Sequence, residues 1–277
     1  MKHVTLPGGT QIPALGLGTW RMGEDDAYFH EQAEVLRKGL DLGLTLFDTA
    51  EMYGEGGAEI VVREAVKGRR DEAFIVSKVY PHNASYDAAI AACERSLGRL
   101  QTDRIDLYLL HWRGQYPLDE TVSAFERLKA DGKIINWGVS NLDASDMDQL
   151  LGVRNGTACA ANQVLYNLSD RGIEWDLAPK LQEAGIPVMA YCPLGEGRLL
   201  RDASLATLAD RHGVTPASIA LAWLLTRPQT IAIPKTSKVE RVAAIAAALD
   251  VKLDQADLEL LDDEFPAPDG PSALSIV

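Results

Sequence analysis

The sequence predicts a closed α/β barrel, (β/α)8, in one domain over residues 1–277, with a β-hairpin before it and extra helices after it. Three observations carry that prediction. Short uninterrupted apolar runs alternate with longer segments of helical spacing, the rhythm of a parallel sheet buried on both faces. Eight such runs fit the chain, and eight in about 250 residues is the size of a closed barrel. An open doubly wound sheet is the rival. Its dinucleotide signature G-x-G-x-x-G is incomplete, because Gly16-Leu-Gly18-Thr-Trp-Arg21 lacks the third glycine.

In chain order, His3–Leu6 and Gln11–Ala14 flank the turn Pro7-Gly-Gly-Thr10 and read as a hairpin. The barrel strands follow as Ala14–Gly18, Leu44–Phe47, Phe74–Val76, Ile105–Leu110, Ile134–Val139, Ala160–Val164, Val188–Tyr191 and Ile231–Ile233. Helical spacing marks Tyr28–Leu42, Glu59–Lys67, Ala88–Leu100, Asp119–Asp131, Asp143–Leu151, Leu177–Ala184, Ser204–His212 and Ser218–Thr226. In Asp119–Asp131 the residues Val122, Phe125, Leu128 and Lys129 trace one stripe, and Asp131-Gly132 supplies a stop. Two further helices, Val239–Leu249 and Gln255–Phe265, precede a Pro/Gly-rich tail from Pro266 that should pack loosely. No Pro/Gly/Ser-rich linker divides the chain.

Composition narrows the partners. Hydrophobic residues at 47% and charged residues at 24% are globular values, so disorder and low complexity are excluded. No apolar stretch is long enough to cross a bilayer, and Met1–Gly9 does not resemble a secretory signal. Cys93, Cys159 and Cys192 stand apart with no C-x-x-C, which suits a reducing cytoplasm and argues against a zinc cluster. A formal net charge of −13 repels polyanions, so nucleic acid is a poor partner. Any anionic ligand must be held by a few local cations and backbone N–H groups.

Reactive groups in a parallel barrel sit where strands end at the C-terminal face. Asp48 closes the second run, Ser77-Lys78 the third and His111 the fourth, with Tyr53 on the loop after Asp48. Each alone has an ordinary structural explanation: a helix cap, a solvated charge, a core imidazole, a packed ring. Together they deliver Asp, Lys, His and Tyr to one mouth. A phenol titrates near 10, and a neighbouring ammonium would lower it; Asp48 would keep Lys78 charged and aimed at Tyr53. A neutral His111 could hydrogen-bond a substrate carbonyl as alkoxide develops. These groups suffice for carbonyl reduction without a metal.

The ordered motifs resemble the aldo-keto reductases, most closely bacterial methylglyoxal-reducing members. They are Gly16-Leu-Gly-Thr-Trp20, Asp48-Thr-Ala-Glu-Met-Tyr-Gly54, Ser77-Lys78, Leu109-Leu-His-Trp112, Gly138-Val-Ser-Asn141, Asn162-Gln163, Tyr191-Cys-Pro-Leu-Gly195 and Ile233-Pro-Lys235, spanning residues 4–265. The resemblance implies a TIM barrel that acts as a monomer and binds extended NADPH. It implies that Tyr53 is the general acid, that Lys78 and Asp48 tune it, and that His111 orients the carbonyl. It places Ser140, Asn141 and Gln163 on the nicotinamide carboxamide, with Tyr191 stacked on the ring, although Ser140-Asn141 could equally cap the next helix. Gly18, Thr19, Trp20 and Asp48 also fall at the cofactor. Cys192, Leu194 and Gly195 match the loop crossing the pyrophosphate, with Cys192 in place of the commoner Ser.

Lys235, Thr236, Ser237 and Arg241 fall where the family binds the 2′-phosphate, which predicts NADPH over NADH. Beyond the arginine, Ala244 and Ile245 replace the usual Glu and Asn adenine contacts, so adenine should be held by packing. Trp20, Tyr53, Tyr80, His111 and Trp112 would line an aromatic substrate pocket, while Trp137 should belong to the core. The short tail leaves an open pocket suited to short aldehydes, methylglyoxal-type dicarbonyls or aldoses. Two rivals remain: an NADPH-sensing regulatory subunit with little turnover, and a lyase using Lys78 as a Schiff base. The intact Asp48, Tyr53, Lys78 and His111 set speaks against the first, and Lys235 with Arg241 would be purposeless in the second.

Overall fold

A computed structural model describes residues 2–277. Strands β1 (His3–Thr5) and β2 (Gln11–Pro13) pair antiparallel and bury Val4, Leu6 and Ile12. Asn136 Nδ2 donates to Thr10 Oγ1 at 3.5 Å, which seats this hairpin beneath the start of a barrel strand. Eight parallel strands follow in sequential order: β3 (Gly16–Gly18), β4 (Leu46–Asp48), β5 (Phe74–Val79), β6 (Ile105–Leu110), β7 (Ile134–Ser140), β8 (Asn162–Leu165), β9 (Val188–Tyr191) and β10 (Thr230–Ala232). A parallel bridge from Leu15 to Ala232 closes the ring, seconded by Ala232 N–H to Ala14 O and Gly18 N–H to Pro234 O, each 2.9 Å.

Ten helices surround or follow the barrel among the described residues: α1 (Phe29–Asp41), α2 (Gly57–Ala65), α3 (Tyr86–Leu100), α4 (Leu118–Ala130), α5 (Ala144–Gly152), α6 (Leu177–Glu183), α7 (Ala203–His212), α8 (Pro216–Thr226), α9 (Val239–Ala247) and α10 (Gln255–Glu264). Their starts follow their caps. Asp143, Asp202, Thr215 and Asp254 each accept a backbone N–H in the first turn of α5, α7, α8 and α10. Because Asp143 does this for α5, Ser140-Asn141 is not the cap that the sequence allowed. Helix α8 is apolar nearly all round and buried from Ser218 to Leu225.

Four expectations are corrected. Strand β5 runs to Val79, so Ser77 and Lys78 lie within it; their side chains face opposite sides of the sheet by the two-residue period. Lys129 is exposed, and the buried stripe of α4 is completed by Thr121 and Ala124. Ile245 is turned into the core and presents no face to a base. The tail is loose only in part: most of it is exposed, but Leu274 packs on the core and Ser272–Ser275 line a cavity with Asp143, Gly172 and Leu177. Trp137 is fully buried, with Nε1 donating to Glu126 at 2.6 Å.

Candidate active site

The C-terminal ends of β4, β5 and β6 bring Asp48, Lys78 and His111 together, and the loop after β4 folds Tyr53 back over them. Lys78 is wholly buried. Its three ammonium protons are all placed: on Asp48 Oδ2 at 2.9 Å, on Thr49 O at 2.8 Å and on Tyr53 Oη at 3.1 Å. Asp48 is also buried, and its other oxygen accepts from Gln163 Nε2 at 2.7 Å. A buried charge that is paired and fully hydrogen-bonded is tolerated where a lone one is not. Even so, burial lowers the Lys78 ammonium from its ordinary value, and Asp48 opposes that fall.

Tyr53 is nearly buried, edge-on to Trp20 at 4.9 Å and to His111 at 5.7 Å between ring centres. Burial first, then the charge of Asp48, hold its hydroxyl well above 10. The expectation of a lowered phenol is therefore not met in the resting site, where desolvation of the phenolate is the largest influence. The proton stays on oxygen until a charge develops beside it. His111 lies just beyond β6, and burial, followed by the Lys78 charge, pushes its imidazole down to about 2. The ring is neutral. Its Nδ1 is buried without a hydrogen-bond partner, which favours the tautomer carrying hydrogen on Nε2.

The remaining polar candidates join the same network. Ser140 Oγ donates to Gln163 O at 2.8 Å, and Asn141 Nδ2 donates to His111 O and to Ser140 Oγ, each at 3.1 Å. The Tyr191 hydroxyl donates to Asn141 Oδ1 at 2.9 Å. Thr19 donates through both N–H and Oγ1 to Asp48 O. Tyr80 lies 5.3 Å from the Trp112 ring and 6.4 Å from His111, so the expected aromatic wall of Trp20, Tyr53, Tyr80, His111 and Trp112 is contiguous.

A second cluster flanks the closing seam of the barrel. Gly18 sits under Ile233, where an added Cβ would come 3.1 Å from the Ile233 carbonyl. Cys192, Gly195, Glu196 and Gly197 all take left-handed backbone, with φ of 47°, 54°, 55° and 87°, and Leu194 anchors this loop on the core. Lys235 is lowered by partial burial and by the charge of Arg21, a residue that sequence reasoning passed over. Its signal was position, since it follows Trp20 directly in an acidic chain. Two cations that feel each other's charge, with Ser237 and Arg241 exposed beside them, are a donor set suited to a phosphate; Thr236 is buried, its Oγ1 accepting the Lys238 N–H at 3.1 Å. The residues thus fit an extended, phosphate-bearing cofactor running from the seam to Tyr191. Among the described residues no group of His, Cys, Asp or Glu could hold a metal ion.

The aldo/keto reductase family model matches residues 14–264. The chain is 50% identical to methylglyoxal reductase YeaE of Escherichia coli (strain K12), with 100% of this chain and 99% of that protein covered. It is 34% identical to glyoxal reductase of Bacillus subtilis (strain 168), covering 94% and 91% of the two. Among solved structures, an aldo/keto reductase from Klebsiella pneumoniae in complex with NADP and acetate superposes with a TM-score of 0.97 at 49% identity, covering 100% of both chains. A second Klebsiella pneumoniae structure, in complex with NADPH, gives the same TM-score of 0.97.

Proposed function

The chain belongs to the aldo/keto reductase family, and from that premise we propose that it reduces methylglyoxal and other short carbonyls to alcohols, with NADPH as reductant and Tyr53 as proton donor. The observation that carries this reading is the buried Asp48–Lys78–Tyr53 chain of hydrogen bonds beside a neutral His111. When bound, the reduced nicotinamide supplies the hydride that adds to the carbonyl carbon. Ser140, Asn141, Gln163 and Tyr191 would hold its carboxamide and ring face. Gly18, Thr19, Trp20, Cys192, Leu194 and Gly195 would shape the channel for the pyrophosphate. Arg21, Lys235, Thr236, Ser237 and Arg241 would hold the adenosine phosphate and favour NADPH over NADH.

The side chains divide the proton chemistry. His111 Nε2–H and Tyr53 O–H would both point to the carbonyl oxygen and polarise it. As negative charge grows there, the Tyr53 proton moves to that oxygen and completes the alcohol. The phenolate left behind faces the Lys78 ammonium, whose hydrogen bond strengthens with the charge. Asp48 keeps Lys78 in place, and the phenolate recovers its proton from solvent after product leaves. An aromatic pocket with two polar groups suits a small flat dicarbonyl better than a polyol. The same reading has the protein work as a monomer in the cytoplasm, where its three free cysteines, two of them buried, stay reduced.

The test is NADPH oxidation, followed by nicotinamide absorbance, with methylglyoxal, an aromatic aldehyde, an aldose and a simple ketone. Tyr53→Phe should bind NADPH normally and lose most of kcat, about a hundredfold or more for a missing general acid. Near-normal turnover in that variant would remove Tyr53 from its role. Tight NADPH binding without turnover in the unaltered protein would replace the reductase by a cofactor sensor.

A further inference from the structure

The segment that presents Tyr53 is strained. Gly54, Glu55 and Gly56 follow it with φ of 56°, 54° and 92°, and Glu55 adopts the left-handed region with a full side chain. Backbone of this kind persists only where its surroundings fix it. Two carboxylates with buried side chains, Glu51 and Glu59, flank Tyr53 in the chain.

Glu51 lies between Asp48 and Tyr53 with its side chain 8% exposed. Its Oε1 accepts the Tyr80 backbone N–H at 2.8 Å and Asn83 Nδ2 at 3.1 Å, and its Oε2 faces Arg95 Nη2 at 3.6 Å. Glu59 lies in the first turn of α2 and is wholly buried. Its Oε1 accepts Ser77 Oγ at 2.6 Å and its Oε2 accepts Arg99 Nε at 2.5 Å. Arg95 and Arg99 are four residues apart and so share one face of α3. Ser77 adjoins Lys78, and Tyr80 lies two residues beyond it. Each carboxylate therefore ties the Tyr53 segment to the strand, or its extension, that carries Lys78. Arg99 also covers Gly56, where an added Cβ would come 2.4 Å from the arginine side chain.

We propose that Glu51 and Glu59 are positioning residues for the reduction, clipping the strained Tyr53 segment to β5 and α3 so that the phenol stays over Lys78 and against the substrate. Neither touches substrate or cofactor. The inference rests on the reading of Tyr53 as proton donor. It also accounts for Glu51 within the Asp48–Gly54 motif, a residue that the proton chemistry leaves without a task. The ion pair with half-exposed Arg95 is the weaker part of the clip; the Tyr80 N–H and Asn83 are the stronger.

The experiment compares Glu51→Ala, Glu51→Gln, Glu59→Gln and Tyr53→Phe, each titrated with NADPH so that rates are expressed per bound cofactor. Glu51→Ala should lose about ten- to a hundredfold in kcat, the scale of a small misplacement of a reacting group, with NADPH affinity within about twofold of the parent. With NADPH deuterated at the transferred position, the isotope effect on kcat should rise towards its intrinsic value, because chemistry becomes slower than product release. Glu51→Gln keeps an oxygen for the Tyr80 N–H and should recover most of the rate. Glu59 uses both oxygens in a fully buried site, one of them against Arg99, so Glu59→Gln should lose rate as Glu51→Ala does. A protein that was merely less stable would show fewer NADPH sites and an unchanged rate per site. That pattern, or kcat within about threefold of the parent in both Glu51→Ala and Glu59→Gln, overturns the proposal. Should Glu51→Ala not fold, Glu51→Asp carries the same expectation, since its shorter arm cannot hold Tyr80 and Asn83 together. Tyr53→Phe separates the two readings. Turnover kept there sinks the proton donor itself, whereas turnover lost there with normal Glu51 and Glu59 variants sinks only the clip.

Discussion

His111 shows how one burial decision fixes both chemistry and pH response. Its imidazole is held at about 2, against 6.5 for a free ring, by burial and then by Lys78. The native site therefore refuses a proton that the unfolded chain accepts at any pH between those values. Stability contributed by this group is present above 6.5 and is lost as pH falls below it, because the unfolded state then binds more protons. Two outcomes follow. Urea unfolding should show a lower midpoint at pH 5 than at pH 7, and replacing His111 by Gln should shrink that difference. The kcat profile should show no inflection near 6.5 belonging to His111, since its charge does not change there. An inflection that vanished in His111→Gln would contradict the neutral ring. The grouping of Asp48, Tyr53, Lys78 and His111 was legible in the sequence because each stands at or after an apolar run, where a parallel barrel brings its strand ends to one mouth. Glu59 was not legible. It reads as an ordinary helical glutamate, and its partner Arg99 is 40 positions away.

At the scale of elements, strands β6 and β9 lie where the apolar runs place them, since a run buried on both faces needs no polar residue to define its ends. Strand β5 runs longer than its apolar core because Ser77 and Lys78 are polar yet buried by partners from α2 and β4, which no local pattern reveals. Helix α10 ends a similar long-range account. Asp254 caps it by accepting the Asp257 N–H at 2.9 Å, while Asp257 returns the favour to the Asp254 N–H at 3.0 Å. The Asp257 carboxylate, fully buried, also takes His212 Nε2 at 2.8 Å and a hydrogen bond from Arg211, so it pins the end of α7 to the start of α10. Asp257→Ala removes the box and leaves Arg211 and His212 without their shared partner. We expect a loss of about 2 kcal/mol in urea unfolding, discounted because Arg211 is half exposed. None of these partners belongs to the candidate site, so kcat should hold. A loss below about 0.5 kcal/mol, the scatter of surface substitutions, would show that the helix needs no such pin.

Taken whole, the barrel has one weak joint. Neighbouring strands elsewhere share from two register pairs, between β7 and β8, to five, between β6 and β7, whereas β3 and β10 meet through the single bridge Leu15–Ala232 and two flanking hydrogen bonds. The proposed cofactor channel lies across that joint. Gly18, Thr19, Trp20 and Arg21 stand on one side, and Lys235, Thr236, Ser237 and Arg241 on the other. A phosphate held between Arg21 and Lys235, as proposed, would relieve the repulsion between them and tie the two edges together. On a chain of net charge −13 such an anion has few other places to bind. Ligand binding stabilises by mass action, about 2.7 kcal/mol at a hundred times Kd, and here the gain should concentrate where the ring is least joined. Amide hydrogen exchange with saturating NADPH should therefore slow most in residues 14–21 and 230–241, and much less in β5, β6 and β7. Lys235→Ala with Arg241→Ala should lose that local protection and weaken NADPH more than NADH, because only NADPH brings the extra phosphate to the seam. Protection spread evenly over all eight strands, or equal weakening of both cofactors, would place the phosphate elsewhere and leave the joint to the protein alone.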